Sequence, residues 1–263
     1  MLSVYLKFLK KNLAWGIIPP LLFSFFIPVI SYGWSTIEPQ IENYSELLES
    51  PLYDAVLGSY SSFTLTDWTG FYYLEIFTLM ELVILFTVIL VPSRLITSEL
   101  DNKTLELILS YPISRWRYVL EKFFVFLTYN LLYPVFILIL TYQSIISLNL
   151  EMNLVLLLYS LFGVWMMMFS LGSLSLLCGI IFFESNRSLA ASSIIVLSQY
   201  FLIRVGAISH SLSYLKNYSI FNYLTAYTIV TSQKIPVYDF FIVSSIGIFA
   251  LILSLILVEE KEF

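Results

Sequence analysis

The chain is 263 residues long, 59% hydrophobic and only 12% charged, with a formal net charge of −5. A water-soluble domain carries about a quarter charged residues to cover its surface, so this composition excludes an ordinary soluble protein and points to lipid as the main solvent. A single cysteine, Cys178, and a single histidine, His210, exclude an internal disulfide and any His/Cys metal cluster within one chain.

The apolar residues fall in long blocks. A helix satisfies its own backbone hydrogen bonds where water is absent, and about 20 residues cross a bilayer core of about 30 Å. Six blocks fit, so the expected fold is a single all-α integral membrane domain, 1–263. The first span, 13–32, follows Lys7, Lys10 and Lys11. It is too long for a signal-peptide core and lacks an Ala-x-Ala-like exit, so an uncleaved span is expected. The stretch 33–70 is acidic and has no Lys or Arg; Ile37, Ile41, Tyr44, Leu47 and Leu48 recur in it at helical spacing, as in an interfacial helix. Span 2 is expected at 71–91, a basic polar segment at 93–122, span 3 at 123–146 and span 4 at 154–183. Gly163, Gly172 and Gly179 in span 4 suggest close helix packing. Span 5 is expected at 189–206 and span 6 at 240–258. Between them, 211–238 is too polar to span yet rich in Tyr, Phe and Leu, as expected of short interfacial or re-entrant helices.

Charge sets the expected orientation. With both termini inside, Lys7, Lys10, Lys11, Arg94, Lys103, Arg115, Arg117, Lys122, Arg187 and Lys261 are cytoplasmic, ten of the thirteen basic residues. The opposite orientation would place the basic segment outside, against the positive-inside rule. The expected topology is therefore N-in, C-in, with 33–70 as an exterior loop and 93–122 cytoplasmic.

The basic segment reads SRLITSELDNKTLELILSYPISRWRYVLEK. Ser98 and Asp101 resemble a capping pair. Leu105, Ile108 and Leu109 form an apolar stripe, with Glu99, Lys103 and Glu106 on the more polar sides. Pro112 stops that helix, and Ser114 can cap a new one. Arg115, Trp116, Arg117, Tyr118 and Lys122 are expected at headgroup level. By itself the pattern fits a lipid-anchored juxtamembrane helix as well as a docking helix for a cytoplasmic partner.

Two carboxylates and one guanidinium fall within spans. Glu81 lies mid-span, where an unpaired charge costs several kcal/mol. It suits either a substrate-path or proton-titrating group, or a buried bond to a neighbouring helix or a second subunit. Glu75 lies nearer the outer end, and depth alone suggests pairing with Arg204 of span 5. Met166, Met167 and Met168 are consecutive, so they point around a helix rather than converging on a metal.

The segment 93–122 resembles the loop between the second and third spans of ABC-2 type transporter permeases. The matching positions are Glu99, Thr104, Leu105, Glu106, Leu109, Pro112, Ser114, Arg115 and Lys122; Lys103 and Glu121 stand where that family has glycine. The run Phe221-Asn222-Tyr223-Leu224-Thr225, then Pro236 and Asp239, then a last span with a charged tail, is similar to the family as well, although the tail here is acidic. The resemblance implies the transmembrane subunit of an ATP-binding-cassette exporter in the cell membrane. It implies that two permease subunits, identical or not, pair in the membrane, and that two ATPase subunits dock on a coupling helix at 98–110. The docking set it implies is Glu99, Thr104, Leu105, Glu106, Leu109, Pro112, Ser114 and Arg115.

The sequence has no Gly-x-x-x-x-Gly-Lys-Ser/Thr loop. ATP and Mg²⁺ are therefore expected on a separate ATPase chain and no cofactor on this one; no nucleic-acid partner is expected. The competing expectation is a proton- or cation-coupled secondary transporter or channel using Glu81. An intramembrane enzyme is disfavoured, because His-Glu-x-x-His and Gly-x-Ser-x-Gly are both missing.

Overall fold

A computed structural model of the chain describes residues 3–39, 67–101, 114–208, 210–224, 226, 229–230 and 236–260. Every regular element among these residues is helical. A short helix α1 (Ser3–Lys11) leads into α2 (Leu13–Ser24) and α3 (Phe26–Ile37), which together make the first span, Leu13–Ile37, with a turn at Phe25. Pro19 and Pro20 sit inside α2. Helix α4 (Trp68–Leu90) is span 2; Asp67 caps it through Gly70 N–H. A 3₁₀ turn at Pro92–Arg94 precedes α5 (Thr97–Asp101). Span 3 is α6 (Arg115–Leu148), span 4 is α7 (Leu154–Phe182), span 5 is α8 (Ser185–Ile208) and span 6 is α9 (Val237–Glu260).

Six helices among the described residues are long and apolar enough to cross a membrane, at the positions expected from the blocks. Phe86, Ile194, Phe201, Phe241 and Phe249 project outward although they are large and apolar, which suits a lipid-facing surface. Inside, Tyr72, Phe77, Phe123 and Leu157 are fully buried. Met167 and Met168 belong to this core, with Met166 packed against it.

The differences from the sequence reading concern the ends. Span 3 starts eight residues before the expected position 123, at Arg115. Ser98 is not a cap: it lies inside α5, and its hydroxyl donates back to the Arg94 carbonyl at 2.7 Å. Ser114 does occupy the N-cap of α6, in extended conformation, without a side-chain capping bond.

Near the other end of the bundle, 210–224 folds back among the spans. Ser219 hydroxyl donates to Gln199 O at 2.6 Å, and Ile220 N–H donates to Gln199 Oε1 at 3.0 Å. Phe221 is fully buried, edge-on to Tyr200. A Cβ at Gly163 would meet Leu224 O at 3.3 Å; Gly163 is nine residues, about 13 Å, along α7 from its start. The described residues 210–224 thus pack against span helices through buried aromatic and polar contacts.

Candidate functional site

The candidate site is the junction of α1, α5 and α6, where three ionisable side chains meet. Lys122 is 5% exposed and Glu99 9%. Their charges touch, Nζ to Oε1, at 2.7 Å. Tyr118 hydroxyl donates to both Glu99 oxygens, at 2.6 and 2.7 Å. Lys122 also donates to the Leu95 carbonyl. Its ammonium lies 4.7 Å from the Phe8 ring centre and 5.2 Å from that of Tyr118. Such positions over an aromatic face are attractive by electrostatics. Each charge is thus partnered several times, which is the condition for keeping it out of water.

This corrects the headgroup placement of Tyr118 and Lys122 and the polar-side placement of Glu99. The physical reason is α1, which lies across the start of α6 and covers it. Tyr5 N–H donates to Glu121 Oε2 at 3.0 Å, and Arg117 pairs with the same carboxylate at 2.8 Å. Tyr129 hydroxyl donates to Leu9 O. Glu121, at a position where glycine was expected, therefore anchors the N-terminal helix. Trp116 is exposed.

The preceding turn is tied to the span 4–5 connection. Ser188 hydroxyl donates to Ser93 O at 2.8 Å, and Ser185 hydroxyl donates to Thr97 Oγ1 at 2.9 Å. Gly179 permits the approach, since a Cβ there would stand 2.9 Å from Ser93 O. At the C-terminal end of span 6, Glu259 accepts from Trp116 N–H at 3.2 Å. One end of the bundle thus joins α1, α5, the end of span 2 and spans 3, 5 and 6 through polar contacts, with span 4 packed against the turn at Gly179.

Of the sequence-derived docking set, the structure locates Glu99, Ser114 and Arg115. Thr104, Leu105, Glu106, Leu109 and Pro112 lie outside the described residues, as does the coupling segment beyond Asp101. Glu99 faces Lys122 and Tyr118.

The mid-membrane charges form a second cluster. Arg204 pairs with Glu81, both nearly inaccessible, and its guanidinium carbon lies 4.8 Å from the Tyr200 ring centre. This corrects the pairing of Arg204 with Glu75. Span 2 is thereby bonded to span 5.

A family model described as ABC-2 family transporter protein matches residues 7–258. The chain belongs to the ABC-2 transporter family. No curated relative and no solved structure matches it. Membership makes this a membrane component of a transporter, a family that works in general with an ABC ATPase partner. Glu99, Tyr118 and Lys122 lie within the matched region.

Proposed function

We propose that this ABC-2 protein is the permease subunit of an exporter in the cell membrane, oriented with both termini inside and paired with a second permease subunit, identical or not. A separate ATPase, carrying ATP and Mg²⁺, docks on 98–110. Leu105 and Leu109 supply the apolar contact, and Thr104, Glu106 and Arg115 the polar rim. Glu99 holds the base of the coupling segment to span 3 rather than touching the partner. Pro112 and Ser114 end the segment and start span 3.

One observation carries this reading: the Glu99–Lys122–Tyr118 cluster ties α5 to span 3 at contact distances. A push on α5 reaches span 2 through the chain and span 3 through the ion pair. The competing secondary-transport reading rested on a lone carboxylate at Glu81, and that carboxylate has Arg204 as its partner.

The test is capture of the full-length, mildly solubilised permease from its own membranes, followed by mass spectrometry. An ABC ATPase co-purifies, and Leu105→Glu with Leu109→Glu releases it while the permease stays folded. Failure of the intact protein to bring down any ATPase, with transport continuing without ATP, defeats the proposal.

A further inference from the structure

A cavity of about 950 Å³ opens beside the junction, between α1 and α2 on one side and the facing ends of α4 and α6 on the other. Its mouth carries Lys7, Lys11 and Arg94. Lys7 and Lys11 are four residues apart on α1, hence on one face. All three cations are exposed, and among the described residues no carboxylate pairs with any of them. The carboxylate that does line the cavity, Glu99, is already held by Lys122. Among the described residues, the mouth therefore has an uncompensated positive charge.

The floor has the opposite character. Pro19, Phe86, Leu90, Val125, Phe126 and Tyr133 line it. Tyr133 lies eleven residues along α6 from Lys122, about 16 Å deeper. Half of a bilayer core of about 30 Å is nearly the same length. The groove opens sideways: Trp15 at its edge is 84% exposed, and Phe86 and Leu90 are exposed as well. In the membrane that opening faces acyl chains.

Cationic mouth and leaflet-deep apolar floor limit what fits. A peptide lying along the floor would bring unpaired backbone groups to membrane depth. A free anion would leave the floor empty. We propose that the groove holds one anionic phospholipid from the leaflet at the basic end. Its phosphate sits between Lys7, Lys11 and Arg94, and one acyl chain runs along the floor towards Tyr133. The lipid then bridges α1 and span 2, which share few direct contacts, and stands beside the Glu99–Lys122 pair. The inference rests on the groove alone and is independent of the transport reading.

The experiment is native mass spectrometry of the full-length permease from nanodiscs containing phosphatidylglycerol and phosphatidylcholine in equal parts. Wild type retains one phosphatidylglycerol in preference to phosphatidylcholine. Lys7→Gln with Lys11→Gln weakens that retention roughly tenfold or more, from the loss of two near-surface charges. Lys10→Gln with Arg187→Gln removes the same charge from the same end but outside the groove, and leaves retention intact. Leu90→Trp fills the floor, keeps every cation and abolishes retention. Equal retention of the two lipids overturns the proposal, as does equal loss in the two double variants. Inorganic phosphate alone raising thermal stability in wild type and Leu90→Trp alike would assign the mouth to a free anion, and would also overturn it.

Discussion

Replacing Lys122 with Met tests the junction most directly. Met has similar length and keeps packing against Phe8, so the main loss is the positive charge. Glu99 is then left 9% exposed and without the Lys122 charge. Removing one partner of a buried pair costs about 3–5 kcal/mol. One bond from the Tyr118 hydroxyl, shared between the two oxygens at 2.6 and 2.7 Å, still solvates the carboxylate, so the low end applies, about 3 kcal/mol. That is about two decades in the unfolding constant. Adding Glu99→Leu removes the stranded charge but leaves the Tyr118 hydroxyl without an acceptor, at about 1–3 kcal/mol. Adding Tyr118→Phe removes that donor. The triple variant should therefore recover most of the stability lost by the single, because an apolar replacement of a buried ion pair is often neutral. The assay is equilibrium unfolding of the full-length permease in mixed micelles, followed by fluorescence of its five tryptophans. A single-variant loss below about 1 kcal/mol would refute the reasoning, because a charge that hydrates this cheaply is not held by the cluster. So would a triple variant equal to the sum of its single changes.

Two further outcomes follow from the same contacts. Arg204→Leu or Glu81→Leu alone should destabilise the protein by about 3–5 kcal/mol, while Glu81→Arg with Arg204→Glu restores assembly. Glu75→Arg with Arg204→Glu should not; rescue by that pair, measured as folded yield in size-exclusion chromatography, would count against the observed pairing. Gly179→Ala places a methyl group where the Ser93 carbonyl stands at 2.9 Å, so a loss of about 1–3 kcal/mol is expected in a thermal melt. An unchanged melting temperature would show that the turn at Pro92–Arg94 moves aside freely.

The spans were legible because block length and hydropathy measure the same thing as crossing a bilayer. Their ends were less so. The start of span 3 was placed too late because the run from Arg115 to Lys122 carries four charged residues. Hydropathy reads such a run as polar; in the structure Arg117 is paired with Glu121, and Lys122 with Glu99, so the helix continues through it. No local pattern announces that α1 will fold over those charges. The choice of Glu75 as partner to Arg204 failed for a related reason. Depth counted along each sequence assumes that all helices begin at one level. Arg204 lies four residues from the end of α8, about 6 Å, whereas Glu81 lies thirteen residues from the start of α4, about 20 Å. The neighbouring ends of the two helices are therefore not level, and the 210–224 segment packs against α8. Gly163, Gly172 and Gly179 did forecast tight packing, because small residues on one helix have few other uses within a membrane.

The two charge clusters together constrain how span 2 can move. At its basic end it continues through Pro92–Arg94 into α5, which Glu99 fixes to span 3 and which Ser185 and Ser188 fix to the start of span 5. At mid-depth Glu81 fixes span 2 to Arg204, also on span 5. Spans 2 and 5 therefore share two polar attachments at different depths, one of them ionic, and apolar packing between them. Apolar packing alone resists sliding weakly, since a lipid tail can replace a leucine contact at little cost. A buried ion pair resists it strongly, since separation strands two charges in hydrocarbon. Spans 2 and 5 are consequently held to each other at two depths, with span 3 joined to them through Lys122. A relative rotation between spans 2 and 5 would have to break the Glu81–Arg204 pair first.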